Sequence, residues 1–143
     1  MPKREQYSIQ AADQAVNNST TLVDTDLAVQ AEVKRVYTLD AHITVDDTAV
    51  DAGVDIKITM PAGAVFVGTI WDADATPTLA QWDGSERGIA EGLGTLHIHG
   101  RVVMVATVCE VKVQFAQTAA AVGDTVIKKN STLMLERISQ GAV

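Results

Sequence analysis

A single cysteine, Cys109, occurs in 143 residues, so no disulfide can close within the chain. It stands in Val108-Cys109-Glu110, a strand-like setting, and reads as an inert structural thiol. Aromatic side chains make up only 4%, and Val, Ala and Thr take their place. That bias favours thin sheets packed through β-branched side chains. Basic residues are few as well: 11 Lys and Arg against 18 Asp and Glu give a net charge of −7 and a pI near 4.7. Binding along a phosphate backbone needs clustered cations, so no nucleic-acid partner is expected. No apolar run approaches the roughly 18–20 residues of a membrane span, so no membrane partner is expected either. The start, Met1-Pro2-Lys3-Arg4-Glu5-Gln6-Tyr7, is charged but has no hydrophobic stretch behind it, which argues against a secretory signal. A soluble protein made in the cytoplasm is the expectation. Helical spacing is nearly missing: only Ala11 to Val16 and Ser85 to Glu91 have room for a turn or two. There is no internal repeat and no low-complexity tract.

What is present is alternation. The length suits one domain, and a hydrophobic content of 47% supplies its core. Residues 1–18 are polar and follow neither period, so they read as an extended N-terminal arm. Such an arm frays unless a neighbouring chain pins it. From residue 19 the period is two. Tyr37, Leu39, Ala41, Ile43 and Val45 alternate with Thr38, Asp40, His42 and Thr44, the signature of a half-buried strand. Asp46 to Gly53 turns the chain; Ile56, Ile58 and Met60 then alternate with Asp55, Lys57 and Thr59 until Pro61-Ala62-Gly63. The next strand, Val65 to Trp71, is apolar on both faces, which fits a sandwich interior or a subunit interface. Residues 72–94 form a long connection with weak periodicity, and connections of that length tend to be functional. A strand from Leu96 to about Ala106 follows, and the closing strands fall at 110–117, 125–129 and 131–138. About eight to nine antiparallel strands at this spacing predict an all-β jelly-roll sandwich over 19–143.

Groups that carry chemistry are sparse. In Gly94-Thr95-Leu96-His97-Ile98-His99-Gly100 two histidines at i and i+2 project from one face of a strand, as metal ligands must. Cupins, which are jelly rolls, use such a pair with a Glu four or five residues further on. Here Val103 and Met104 stand at those positions, and no histidine follows His99. His42 supplies a third imidazole only if its strand lies beside this one. His97, His99 and Arg101 otherwise read as the polar side of a strand, and no metal or cofactor is expected. Ser19, Ser85, Ser131 and Cys109 lack the context of a nucleophile elbow. Asp24/Asp26, Asp46-Asp47 and Asp72/Asp74 lie near turns, where Asp is favoured for its own backbone hydrogen bonding. Gly92-Leu93-Gly94 lacks the strand–turn–helix setting of a phosphate cradle. Trp71 reads as core or interface. Trp82, in the 72–94 connection, either anchors a partner, stacks on a sugar, or packs the loop onto its own sheet.

Three stretches resemble, in order, a family of virion proteins from tailed bacteriophages. Tyr37-Thr38-Leu39-Asp40-Ala41 is similar to the family's second strand, and Asp55-Ile56-Lys57-Ile58-Thr59-Met60-Pro61-Ala62-Gly63-Ala64 to its next segment. The ending, Phe115-Ala116-Gln117 and then Val126 through Asn130-Ser131, Leu133, Leu135, Arg137 and Ile138, is similar to the family's last strands. The stretch 72–94 has no counterpart. The resemblance implies a trimeric jelly roll similar to the tumour-necrosis-factor fold, with no catalytic residues. It implies a virion location, most simply as a capsid decoration (cement) protein that stabilises the head. The expected partners are the major capsid protein and two further copies of the chain. Lys3, Arg4, Tyr7 and Trp82 are the contact candidates, and an arm lost by deleting residues 2–15 should take capsid binding with it. A head-fibre or tail-appendage module for host attachment is the alternative, and a cupin-like metal enzyme using His42, His97 and His99 the third.

Overall fold

A computed structural model describes residues 5–32, 35–47, 53–60, 62–72, 78–89, 94–104 and 109–138. Among them there is no helix, and every strand pairing is antiparallel. The strands are β1 (Glu5–Ile9), β2 (Gln14–Asn17), β3 (Val23–Ala31), β4 (Arg35–Asp47), β5 (Val54–Thr59), β6 (Val65–Asp72), β7 (Thr78–Trp82), β8 (Arg87–Ile89), β9 (Gly94–Met104), β10 (Cys109–Ala116), β11 (Asp124–Ile127) and β12 (Thr132–Arg137). One sheet runs β1-β12-β4-β9-β6-β7, with β11 joining β2 and β4; the other runs β3-β10-β5-β8.

These ladders reduce to a simpler scheme. Both β11 and β12 pair with β4, at Val45–Asp47 and Tyr37–His42, so they are one long strand interrupted at 128–131. Likewise β1 pairs with β12 and β2 with β11, so β1 and β2 are one strand interrupted at 10–13. The remaining partners nest: first strand with last, β3 with β10, β4 with β9, β5 with β8. That nesting is a long hairpin rolled up on itself. The fold is a jelly roll, with β6 and β7 inserted as an extra hairpin on the β9 edge. The strand count exceeds the expected eight to nine because β1 and β2 lie where an arm was expected and β7 and β8 where a loop was expected. Within the 72–94 connection, 78–82 and 87–89 are strands, while 73–77 and 90–93 lie outside the described residues.

Alternation builds the core as the sequence suggests. Tyr37, Leu39, Ala41, Ile43 and Val45 point inward from β4, against Leu27, Ile56, Val111, Val113 and Phe115 of the other sheet. Each such side chain contributes roughly 1.5–3 kcal/mol by leaving water. Among the described side chains of β6 only Phe66 and Ile70 are buried; Val65, Val67 and Trp71 face outward. The sandwich-interior option for that strand is thereby excluded.

The polar arm expected over 1–18 departs from the structure in its described part: residues 5–9 and 14–17 are strands of the first sheet. The reason is an inverted pattern. The apolar Tyr7 and Ile9 face outward, while the polar Gln6, Ser8, Gln10 and Gln14 meet the free edge of β3. Gln6 Oε1 accepts from Gln30 N (3.2 Å), Gln10 Oε1 from Asp26 N (3.1 Å), Ser8 Oγ donates to Asp26 O (2.7 Å), and Gln14 Nε2 to Asp24 O (2.7 Å). Side chains thus satisfy an edge strand that would otherwise offer its backbone to another chain. Deleting residues 2–15 strips this edge as well as any contact surface.

Two joints explain why the closing motif carries its polar residues. Gln117, fully buried, accepts from Ser19 N (3.1 Å) and Ala121 N (3.1 Å) through Oε1 and donates to Gly123 O (3.0 Å). It ties the β2–β3 connection to the β10–β11 connection. At the 128–131 interruption Asn130 has φ 71°, a left-handed conformation that Gly and Asn tolerate best. Buried Ser131 Oγ donates to Lys128 O (2.8 Å) and accepts from Thr44 N (3.0 Å), replacing the ladder bond lost there.

Where β6 meets β9, Gly68 and Gly100 lie opposite each other and the Phe66 ring covers them. A Cβ on Gly100 would stand 2.6 Å from Val67 O, 2.7 Å from Gly68 Cα and 2.8 Å from Phe66 Cε2. Gly100→Ala is therefore expected to destabilise the fold by about 3 kcal/mol, the upper end of overpacking costs, measured by urea unfolding. Gln117→Leu deprives three part-buried backbone groups of their side-chain partner and is expected to cost roughly 1–3 kcal/mol in the same measurement.

Candidate functional site

The residues with chemistry gather on the outer face of the first sheet. Because β4 and β9 pair over Arg35–Val45 and Gly94–Met104, their outward side chains form two adjacent rows. His42 sits opposite His97, and Asp40 opposite His99. His97 Nε2 lies 2.6 Å from Asp40 Oδ1, and His42 Nε2 lies 3.4 Å from the same oxygen. The His42 and His97 rings stack with centroids 4.2 Å apart and planes 17° from parallel; His99 is tilted against His97 at 6.2 Å. Asp40, His97 and His99 offer donor atoms that all lie within 4.8 Å of one another. The group is half-buried to exposed, on a surface open to solvent.

The three histidines that the sequence singled out are thus brought together, but on the outside of the sandwich. The inward positions of β9 are taken by Leu96, Ile98 and Val102 in the apolar core. An enclosed, cupin-like metal centre is not formed by these residues. Asp40 was missed. Its signal was present, since Asp40 and His42 share the outward face of the most regular strand. Trp82 is 7% exposed, edge-on to Phe66 at 5.9 Å, with its Nε1 donating to Ser85 O at 2.7 Å. It packs its hairpin onto the sheet. Lys3 and Arg4 lie outside the described residues, as does the side chain of Cys109.

Tyr7 does stand free, at 70% exposure, with Ile9 beside it on β1. Tyr7 lies opposite Met134, which lies opposite Asp40, so this pair flanks the histidine cluster on one side. On the other side β6 carries Val65, Val67 (67% exposed) and Trp71 (41% exposed), the last opposite His97. A polar strip is therefore bordered by two exposed apolar edges. At the β6–β7 edge an open groove of about 720 Å³ is lined by Phe66, Gly68, Thr69, Trp82, Asp83 and Arg87. Ser85, which also lines it, donates to Asp83 Oδ1 through N (3.0 Å) and Oγ (2.5 Å) and so closes a local turn, and no histidine, cysteine or lysine is among the described lining residues.

Asp24, expected as a solvated turn residue, and Asp13 both have structural partners. Asp24, on β3, accepts from Lys112 Nζ (2.9 Å) and Gln114 Nε2 (2.7 Å). Asp13 accepts from Lys128 Nζ (2.5 Å) and Lys129 N (2.7 Å). These donors hold both carboxyls below their usual value of 3.8. Glu86 is pushed above its usual 4.5, first by a shared hydrogen bond with Asp55 and then by desolvation and the Asp55 charge.

No family model matches the chain, and no curated protein matches it. Among solved structures it is similar to a chain in the structure of infectious bursal disease virus Gx strain, with a TM-score of 0.42 and 11% identity. The match covers 98% of this chain and 35% of that one, so this chain spans about a third of its length. A likeness this distant carries no functional argument.

The two kinds of carboxyl give opposite pH effects. A depressed folded pKa, as at Asp13, contributes stability that is present above the ordinary value and lost as pH falls through the folded one. A raised folded pKa, as at Glu86, contributes stability that is present below 4.5 and lost as pH rises through the folded value. Glu86→Gln, which keeps a donor toward Asp55, is expected to raise the melting temperature at neutral pH, with the gain vanishing in acid. Asp13→Asn is expected to lower it at neutral pH, with that loss also vanishing in acid. Melting curves across pH check both signs.

Proposed function

We propose that this chain is a capsid decoration (cement) protein of a tailed bacteriophage, a trimeric jelly roll that binds the outer surface of the head and stabilises the shell. It is read as structural, without catalysis. The observation that carries this reading is the outer face of the first sheet, a surface suited to being covered. Exposed apolar side chains grouped on one face mark interaction sites, whereas catalysis calls for a concave site with converging groups. The resemblance of the Tyr37–Ala41, Asp55–Ala64 and closing segments to phage virion proteins supplies the virion context.

The layout of that face favours three copies over two. In a two-fold dimer one patch meets itself; in a closed ring each chain meets two neighbours through two different patches. Two separate apolar edges are present, Tyr7 with Ile9 and Val65, Val67 with Trp71. A trimer on a local three-fold axis engages the shell through three contacts at once, so weak individual contacts with the major capsid protein add up. Binding to the assembled shell alone then favours the assembled state by mass action.

Two measurements test this. Sedimentation of the purified protein is expected to give three 15.2 kDa chains, and Val67→Asp is expected to give monomer. Heads assembled without the protein are expected to bind it and to open at a higher temperature. A monomer that leaves such heads unchanged defeats the proposal; adsorption to host cells with no head binding would instead assign it to an attachment fibre.

A further inference from the structure

We propose that Asp40, His97 and His99 form a binding site for a divalent transition-metal cation of the zinc class, with His42 stacked beside it. The sequence left a metal as its third reading, because the pair on β9 lacks the carboxylate a cupin places further along and His42 joins the pair only if its strand lies alongside. The structure supplies a carboxylate from another strand. Asp40 comes from 57 residues earlier and stands in the adjacent row.

Three features support the site. First, the donors sit on β4 and β9, paired over Arg35–Val45 and Gly94–Met104, and sites on central strands hold their geometry better than sites on loops. Second, the donor atoms are already gathered. Four-coordinate zinc with bonds of about 2.1 Å needs donors roughly 3.4 Å apart, and the three lie within 4.8 Å of one another without any ion. Small side-chain rotations bring the set to that spacing, with the ion displacing the proton that His97 Nε2 and Asp40 Oδ1 share at 2.6 Å. His42 restricts one of them, since its ring stacks on His97 at 4.2 Å, and its own Nε2 is 3.4 Å from Asp40 Oδ1. Third, the chemistry is selective. Two imidazoles and one carboxylate suit zinc, cobalt or nickel, whereas calcium and magnesium require shells made of oxygen. A chain of net charge −7 also favours a cation over an anion at an open surface.

The site needs only one chain, so it stands or falls separately from capsid binding. The test is titration of the full-length protein with zinc chloride in competition with a chromophoric chelator. One ion per chain is expected, with millimolar magnesium failing to compete. Cobalt chloride is expected to give visible absorption bands from a site with nitrogen ligands. His97→Ala and His99→Ala should each weaken zinc binding by at least the roughly 10–100-fold seen when outer-shell partners are lost. Because the chain has 3 histidines, their imidazole resonances can be followed in the unaltered protein. Zinc is expected to shift those of His97 and His99 most. Zinc binding that leaves these resonances in place, no uptake by the unaltered chain, or undiminished uptake by the folded His97→Ala/His99→Ala double variant overturns the site.

Discussion

The antiparallel pairing of β4 with β9 is the constraint on which the rest of the molecule depends. It runs in unbroken register from Arg35 opposite Met104 to Val45 opposite Gly94. Because strand side chains alternate, that one register decides two things at once. It sends Leu39, Ala41, Ile43, Leu96 and Ile98 into the core. It also lines up Asp40, His42, His97 and His99 on the opposite face. A slip of one residue would put the imidazoles into the apolar interior and the aliphatic side chains into water. The hydrophobic cost of that exchange fixes the polar strip as firmly as it fixes the core.

Around this pair, the sandwich is closed by side chains that stand in for missing backbone partners. Gln6, Ser8, Gln10 and Gln14 cover the β3 edge, Gln117 joins two connections, and Ser131 bridges the interruption between β11 and β12. Buried or edge backbone groups left unpaired are costly, so a small all-β domain must find such partners. Here they are amides and hydroxyls, which hold their bonds at any pH. The charged pairs at Asp13 and Asp24 lie at the surface, where screening leaves them a minor share of the stability.

The same division between apolar burial and side-chain hydrogen bonding decides which parts of the fold are legible in the sequence. The Tyr37–Val45 strand, the Ile56–Ile58 strand and the closing strands were plain, because a buried face beside a wet one writes itself as strict alternation. The N-terminal strands were opaque. Their apolar Tyr7 and Ile9 face outward and, Val16 apart, their inward contacts are hydrogen bonds, so hydrophobic periodicity has little to report. Trp82 was ambiguous for a related reason: a tryptophan among glycines and acids looks the same whether its hairpin lies on the sheet or stands off it. The polar residues of the closing motif, Gln117, Asn130 and Ser131, could be recognised as a pattern, yet their purpose appears only at the joints they occupy.

The candidate cluster divides along the same line. By itself the sequence determined that His97 and His99 share a face, that Asp40 and His42 share another, and that both strands are half-buried, since each follows from local alternation. Only the tertiary structure decided that the two faces are one surface and that Asp40 stands beside the imidazoles. Which strands become neighbours, and in what register, is set by the nesting of distant segments in the rolled hairpin, and no spacing within either strand encodes it.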